Sequence, residues 1–88
     1  MEIVNIPGGY EVRQGAAFVR CLARKQNPGY RAVRVHVPVN LSGQGLATKL
    51  YQEAYAEANR RGGGLVPGHS GNPAIVKIRT KVFPEGAA

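Results

Sequence analysis

Residues 33–62 read VRVHVPVNLSGQGLATKLYQEAYAEANRRG and contain a change of hydrophobic period. Valine occupies every second position from Val33 to Val39, with two basic side chains and a proline between, which is typical of a strand with one buried face. From Leu46 the apolar residues recur at spacings of three and four, which predicts an amphipathic helix. The predicted apolar stripe comprises Ala47, Leu50, Tyr51, Ala54, Tyr55 and Ala58. The segment is therefore predicted to be a strand, a glycine-spaced loop and a helix.

Both ends of this predicted helix carry residues that suit a helix terminus. Arg60 and Arg61 lie in the last turn, where positive charge interacts favourably with the helix dipole. The glycines at 62–64 follow directly and supply the stop. At the other end, Ser42 and Thr48 are the side chains that could cap the helix.

The segments on either side predict further strands. Residues 2–6, EIVNI, alternate in polarity and precede a Pro-Gly-Gly turn, and further turn signals follow at 14–15 and 27–29. Residues 16–24 fit a strand or a helix almost equally, and the strand is favoured because the Asn-Pro-Gly turn then makes a hairpin with the valine strand. GLVPG, residues 64–68, predicts a short strand, and residues 72–83 predict a final helix with Pro73 in its first turn.

These elements predict one α+β domain spanning residues 1–88. Their order is β-β-β-β-α-β-α, with a small mixed or antiparallel sheet and the long helix after its central strand. A composition of 43 % hydrophobic and 19 % charged residues is that of an ordered globular domain. A chain of this length buries only about 60 % of its unfolded surface, so the expected core is thin.

Composition also narrows the classes of function. No apolar run approaches the ~18 residues of a membrane span, and the N-terminal residues lack the pattern of a secretory signal. We therefore expect no membrane partner and a cytoplasmic location. Cys21 is the one cysteine, which excludes an internal disulfide and a cysteine-only metal site. No pair of His or Cys residues has a metal-ligand spacing, so no metal is expected.

The formal net charge of +7, from twelve Lys and Arg against five acidic residues, suits an anionic partner. Nucleic acid, an acidic protein and a small polyanion all meet that description. No run of basic residues exceeds two, so charge alone does not choose among them. A nucleic-acid binder would normally interleave aromatic and basic residues on one sheet face, and Phe18 near Arg20 is the nearest match to that pattern.

The glycine-spaced loop predicts an anion site. A loop that leaves a strand and opens a helix presents free backbone N–H groups at the positive end of the helix dipole. Gly43 and Gly45 would let the backbone turn tightly and approach a phosphate without an intervening Cβ. The loop does not match GxxxxGK[ST], and Thr48 stands where GxGxxG requires its third glycine. The alternative is that the glycines only make a strand-to-helix turn.

Residues 37–68, VPVNLSGQGLATKLYQEAYAEANRRGGGLVPG, resemble the acetyl-CoA-binding core of the GNAT-type N-acetyltransferases, in a reduced form of the kind carried by phages. The family's [Q/R]-x-x-G-x-[G/A] loop falls on residues 42–47, SGQGLA. GNPAIVKIRTKVF, residues 71–83, looks like the family's downstream N-x-x-A region. The resemblance implies an acetyl-CoA co-substrate that is held by the following residues: Val37, Val39, Ser42, Gly43, Gln44, Gly45, Leu46, Ala47, Thr48 and Asn72. The backbone from Gln44 to Thr48 would hold the pyrophosphate, and the pantetheine arm would lie along Val37 and Val39.

The sequence also departs from the family at several positions. Ser42 stands in place of the usual Arg or Gln, and Ile78 in place of a tyrosine that often protonates the leaving thiolate. Val82 replaces the glycine before Phe83. The two helices that wall the family's acceptor site, after its first strand, have no room in this chain.

Two histidines are candidate catalytic residues for acetyl transfer. The reaction needs a neutral amine, stabilisation of an oxyanion and a proton for the leaving thiolate. His36, on the valine strand, is the first candidate base because imidazole titrates near neutrality, and His69, just after GLVPG, is the second. A strand N–H near Val37 could stabilise the oxyanion. Glu11 could act through water, although an exposed strand position is expected for it.

Two functions follow from these observations. The first is an acetyl-CoA-binding N-acetyltransferase of reduced size that acts on an amine, such as a lysine of a protein acceptor. The alternative is a non-catalytic GNAT-shaped binding module, for example a phage-encoded inhibitor, that docks on an acidic protein or on nucleic acid. Exposed strand edges in so small a sheet would also favour a homodimer.

Overall fold

The computed structural model describes residues 1–68, 77–78 and 81–82. In this part of the chain a five-stranded mixed sheet carries one long helix on one face, which confirms the predicted α+β class. The strands are β1 (Glu2–Ile6), β2 (Gly9–Gln14), β3 (Ala17–Ala23), β4 (Tyr30–His36) and β5 (Leu65–Val66). A 3₁₀ turn at Val39–Leu41 precedes the helix α1 (Leu46–Arg61).

The strands lie in the order β1-β2-β3-β4-β5. The first four form antiparallel hairpins, and β5 pairs with β4 in parallel after the crossover through α1. Gly8, with a φ of 83° after Pro7, and Gly15, with a φ of 60°, occupy turn positions that favour glycine. The long helix follows β4, which is second from the edge, whereas the sequence predicted a helix after the central strand.

A β-bulge in β4 changes which valines face the core. Arg20 pairs with Arg34 while Cys21 pairs with Ala32, so Val33 is an extra residue on β4. Ala32 consequently faces α1 at 3 % exposure, whereas Val33 is 46 % exposed. The prediction that all four valines share one face is therefore wrong for Val33. It is also wrong for Val39, which lies beyond the strand in the 3₁₀ turn.

The core lies between the sheet and α1. Its buried side chains are Tyr10, Val12, Ala17, Val19, Cys21, Ala32, Leu46, Leu50, Tyr51, Ala54, Ala58 and Leu65. The Tyr10 hydroxyl donates a buried hydrogen bond of 2.6 Å to the Ala54 carbonyl and so ties β2 to α1. Burial raises the pKa of Tyr10 well above its ordinary value. The stripe predicted for α1 is confirmed, since its members are buried or half-buried.

The end of the chain adds two contacts to this core. Residues 77–78 and 81–82 are helical, and Ile78 and Val82 pack half-buried against the core residues. The rest of the helix predicted at 72–83 lies outside the described residues. None of the helices in the described part has the length and apolarity that crossing a membrane requires.

Candidate functional site

The connection from β4 to α1 is a short loop with its own hydrogen bonds. The Leu41 amide donates to the Pro38 carbonyl at 2.9 Å, which closes the 3₁₀ turn. The Ser42 amide and the Ser42 hydroxyl both donate to the Val39 carbonyl, at 3.2 Å and 2.8 Å. Ser42 therefore fixes the shape of the loop rather than capping α1.

The two loop glycines have positive φ angles, 78° at Gly43 and 74° at Gly45. A Cβ added to either residue would meet no atom within 4 Å, so conformation and not crowding requires glycine there. Gly45 is the N-cap residue, and no side chain caps the helix. The expected cap from Ser42 or Thr48 is thus absent from the structure, and open space lies over the backbone at the start of α1.

The start of α1 presents unneutralised positive charge. The first helical hydrogen bond runs from the Lys49 amide to the Gly45 carbonyl at 3.2 Å, so the amides at Leu46, Ala47 and Thr48 have no helical acceptor. The first turn contains no acidic residue, and Lys49 is exposed in it. Backbone N–H groups and the dipole therefore favour an anion at this helix end.

Among the described residues, the edge of β4 beside this helix end is paired along only part of its length. Pairing of β4 with β5 is limited to Tyr30 with Leu65 and Arg31 with Val66. At Gly68 an added Cβ would lie within 3 Å of the Ala32 carbonyl, so the chain still runs close to β4 there. Beyond that point, the stretch from Val33 to His36 has no strand partner on this side among the described residues. Its peptide groups can pair with an extended ligand, in the way that strands add to an open edge.

His36 ends β4 on the sheet face opposite α1. Its side chain is exposed, and its ring lies 5.7 Å from the Phe18 ring between centroids. The imidazole is therefore available to a solvent-borne amine. His69, the second candidate base, and Asn72, the candidate cofactor contact, lie outside the described residues.

The remaining residues of the implied cofactor site lie along one continuous stretch but in different environments. Val37 is half-buried against the core, whereas Val39 is 91 % exposed. Gln44 is exposed and Leu46 is buried, so only the backbone of Leu46 faces the loop side. Ala47 and Thr48 are half-buried. This arrangement fits binding by backbone amides better than binding by side chains.

Cys21 and Glu11 are titratable side chains that are also buried. Cys21 lies in the core, and burial raises the pKa of its thiol to about 11, which disfavours the thiolate nucleophile. Glu11 is only 4 % exposed, so the expectation of a solvated carboxylate is wrong. Its carboxylate accepts a 2.7 Å hydrogen bond from Arg20 Nε and lies 3.6 Å from an Arg13 nitrogen. Within the described ranges, no group of three or more His, Cys, Asp or Glu residues could hold a metal ion.

Sequence reasoning missed one cluster, which lies on the face opposite α1. Arg13, Phe18, Arg20, Arg34 and His36 share this face, and we call them the arginine face. Their alternation along three strands was the available signal, but reading it required the register between the strands.

Comparison of the chain with protein-family models, with curated proteins and with solved structures finds no match.

Proposed function

We propose that the chain is a reduced acetyltransferase of GNAT type, which binds acetyl-CoA at the start of α1 and acetylates an amine, such as a protein lysine. The observation that carries the proposal is the meeting of two features after β4. An uncapped helix N-terminus, shaped by Gly43 and Gly45, follows a strand whose edge is open from Val33 to His36 among the described residues. A ligand with a diphosphate at one end and an extended amide-bearing arm suits both features.

Each part of this geometry has a defined task in binding. The free amides at Leu46, Ala47 and Thr48 would donate to phosphate oxygens, and the helix dipole and Lys49 favour the same negative charge. The open edge of β4 would pair with the amides of the pantetheine arm. The hydrogen bonds of Ser42 keep the loop in the conformation that this binding requires.

When bound, acetyl-CoA supplies the acetyl group as a thioester. In the proposed reaction His36 would take a proton from the amine as the new N–C bond forms and the C–S bond breaks, and the resulting imidazolium would return that proton to the departing thiolate to give the CoA thiol. A backbone N–H near Val37, at the end of the same strand, would donate to the carbonyl oxygen as negative charge develops there. These roles need only groups at the end of β4.

Transfer is tested by measuring the release of CoA thiol from acetyl-CoA in the presence of polylysine and of lysine-containing peptides. We expect His36→Gln to lower this rate by roughly 100-fold or more, since a positioned general base contributes about 10²–10⁴-fold. The binding of CoA by this variant should stay unchanged, because only the backbone of β4 is proposed to pair with the pantetheine arm and the His36 side chain lies outside the phosphate loop.

Arg60→Gln is a charge control for the same assay, since it removes a cation in the last turn of α1 and leaves His36 and the phosphate loop in place. An equal rate for wild type and His36→Gln would contradict the assigned base. CoA binding without any transfer would contradict the acetyltransferase and favour the non-catalytic module.

A further inference from the structure

We infer that the arginine face binds single-stranded nucleic acid. This inference does not rest on the proposed acetyltransferase, because it is carried by Phe18 and the three arginines, which lie on the other side of the sheet from α1; His36 is the one residue of the face that the proposed reaction also uses. The alternating partners on β2 and β3, namely Val12, Val19 and Cys21, are fully buried towards the helix. Of the residues described after β5, Ile78 and Val82 pack against the core between the sheet and the helix.

The centre of the face is an aromatic ring enclosed by cations. The guanidinium carbons of Arg13, Arg20 and Arg34 lie 5.8, 5.6 and 5.9 Å from the Phe18 ring centroid. The cross-strand register explains this grouping, because Phe18 lies between Arg13 and His36, and Arg20 lies opposite Arg34. Aromatic rings and guanidinium planes both stack on nucleic-acid bases, and the guanidinium groups also bind phosphate.

The buried Glu11 organises two of these arginines. Its carboxylate accepts a hydrogen bond from Arg20 Nε and forms an ion pair with Arg13. The other N–H groups of both arginine side chains can therefore donate to a ligand. Arg34 forms no ion pair with any described residue. The face therefore holds three guanidinium groups around the Phe18 ring, and two of them are also paired with the buried Glu11 carboxylate.

Positive charge also continues beyond the ring. A concavity of about 440 Å³ opens beside Leu22 and Val33, and Arg24, Lys25 and Arg31 line it. Leu22 follows Arg20 on the same side of β3, so this concavity adjoins the arginine face. By contrast, Arg60 and Arg61 on α1 are paired with Glu57, and Arg60 also with Glu53. Arg24, Lys25 and Arg31 thus extend the positive charge of the arginine face along the same side of the sheet.

An unpaired strand fits this surface better than a duplex or an acidic peptide does. A single strand offers both the base faces that stack on Phe18 and the phosphates that pair with arginine. A duplex keeps its bases stacked on each other, and an acidic peptide offers no base to stack. The combination of ring and charge is what selects the single strand.

The test is fluorescence anisotropy of labelled oligothymidylate at several salt concentrations. Phe18→Leu keeps an apolar side chain but removes the ring, and we expect binding to weaken about 5- to 150-fold. Phe18→Trp should keep the affinity. Arg34→Gln should reduce the slope of log K against log salt by about 0.7, whereas the matched control Arg60→Gln, in the last turn of α1, should leave it unchanged.

Thermal melting of each variant establishes that it is folded. Absence of binding would overturn the inference, as would equal affinities for wild type and Phe18→Leu. Binding of a duplex or of polyglutamate as tightly as oligothymidylate would also overturn it, because the Phe18 ring would then not favour unpaired bases over other polyanions. Gly45→Glu, which should abolish CoA binding, should still bind oligothymidylate like wild type. Failure of the acetyltransferase proposal can therefore be distinguished from failure of this inference.

Discussion

Leu50→Ala is expected to destabilise the protein by about 2–5 kcal/mol, because it opens a cavity in the middle of a thin core. Leu50 is fully buried on α1, among residues that contact the sheet. For a domain of this size, that loss corresponds to a fall in melting temperature on the order of 10 °C or more. Denaturant unfolding, followed by circular dichroism, measures the change directly.

Lys49→Ala is the matched control for this substitution. Lys49 neighbours Leu50 in the same helix but is exposed, so its replacement should change stability by no more than about 0.5 kcal/mol. A loss below about 1 kcal/mol for Leu50→Ala would contradict the packing of α1 on the sheet. The position of the helix N-terminus beside β4 depends on that packing.

Gly63→Ala is expected to cost roughly 2–5 kcal/mol, through two separate effects. Gly63 has a φ of 88°, a region in which a Cβ costs about 1–2 kcal/mol. An added Cβ would also lie within 3 Å of the Gly29 backbone, and relieving such overpacking costs about 1–3 kcal/mol more. Gly29 has the reciprocal contact with Gly63, so neither loop can yield alone. Denaturant unfolding again gives the value.

Gly43→Ala separates the two effects. Gly43 has a similar φ of 78°, but an added Cβ there meets nothing within 4 Å. It should therefore show the conformational cost alone. Equal losses for the two variants would contradict the close contact between the loop before β4 and the loop before β5. That contact matters for the site because it sets where β5 begins beside β4.

Local patterns were sufficient to predict most of the fold. The Pro-Gly-Gly, Gln-Gly and Asn-Pro-Gly signals lie at the turns between β1 and β4, and the triple glycine ends α1. The strand interpretation of residues 16–24 is confirmed by β3. Each of these features depends on residues close in sequence, which explains why a single chain was enough to find them.

The features that escaped prediction depend on contacts between strands. Val33 does not face the core, because it is the extra residue of a bulge where β4 pairs with β3. A period-two pattern in the sequence cannot reveal such an extra residue. Glu11 is buried because Arg20 and Arg13 pair with it across and along the strands. The arginine face has the same origin, since its members come from three different strands.

The candidate site was predicted in part for the same reason. The loop glycines and the start of α1 are adjacent in sequence, and their conformations agree with the expected glycine requirement. The short pairing of β4 with β5 in the described residues joins segments far apart in sequence, which the pattern of valines does not contain.

Thermal unfolding with and without CoA, at about a hundredfold excess over its dissociation constant, tests the proposed phosphate loop most directly. One-site binding should add roughly 2.7 kcal/mol, which raises the melting temperature by about 10 °C or more. Gly45→Glu should lose this shift, because its side chain would place a carboxylate in the open space at the amides. Gly15→Glu should retain it, since Gly15 also has a positive φ and free space but lies in the turn between β2 and β3. Absence of the shift in wild type, or an equal shift in the two variants, would contradict CoA binding at the start of α1.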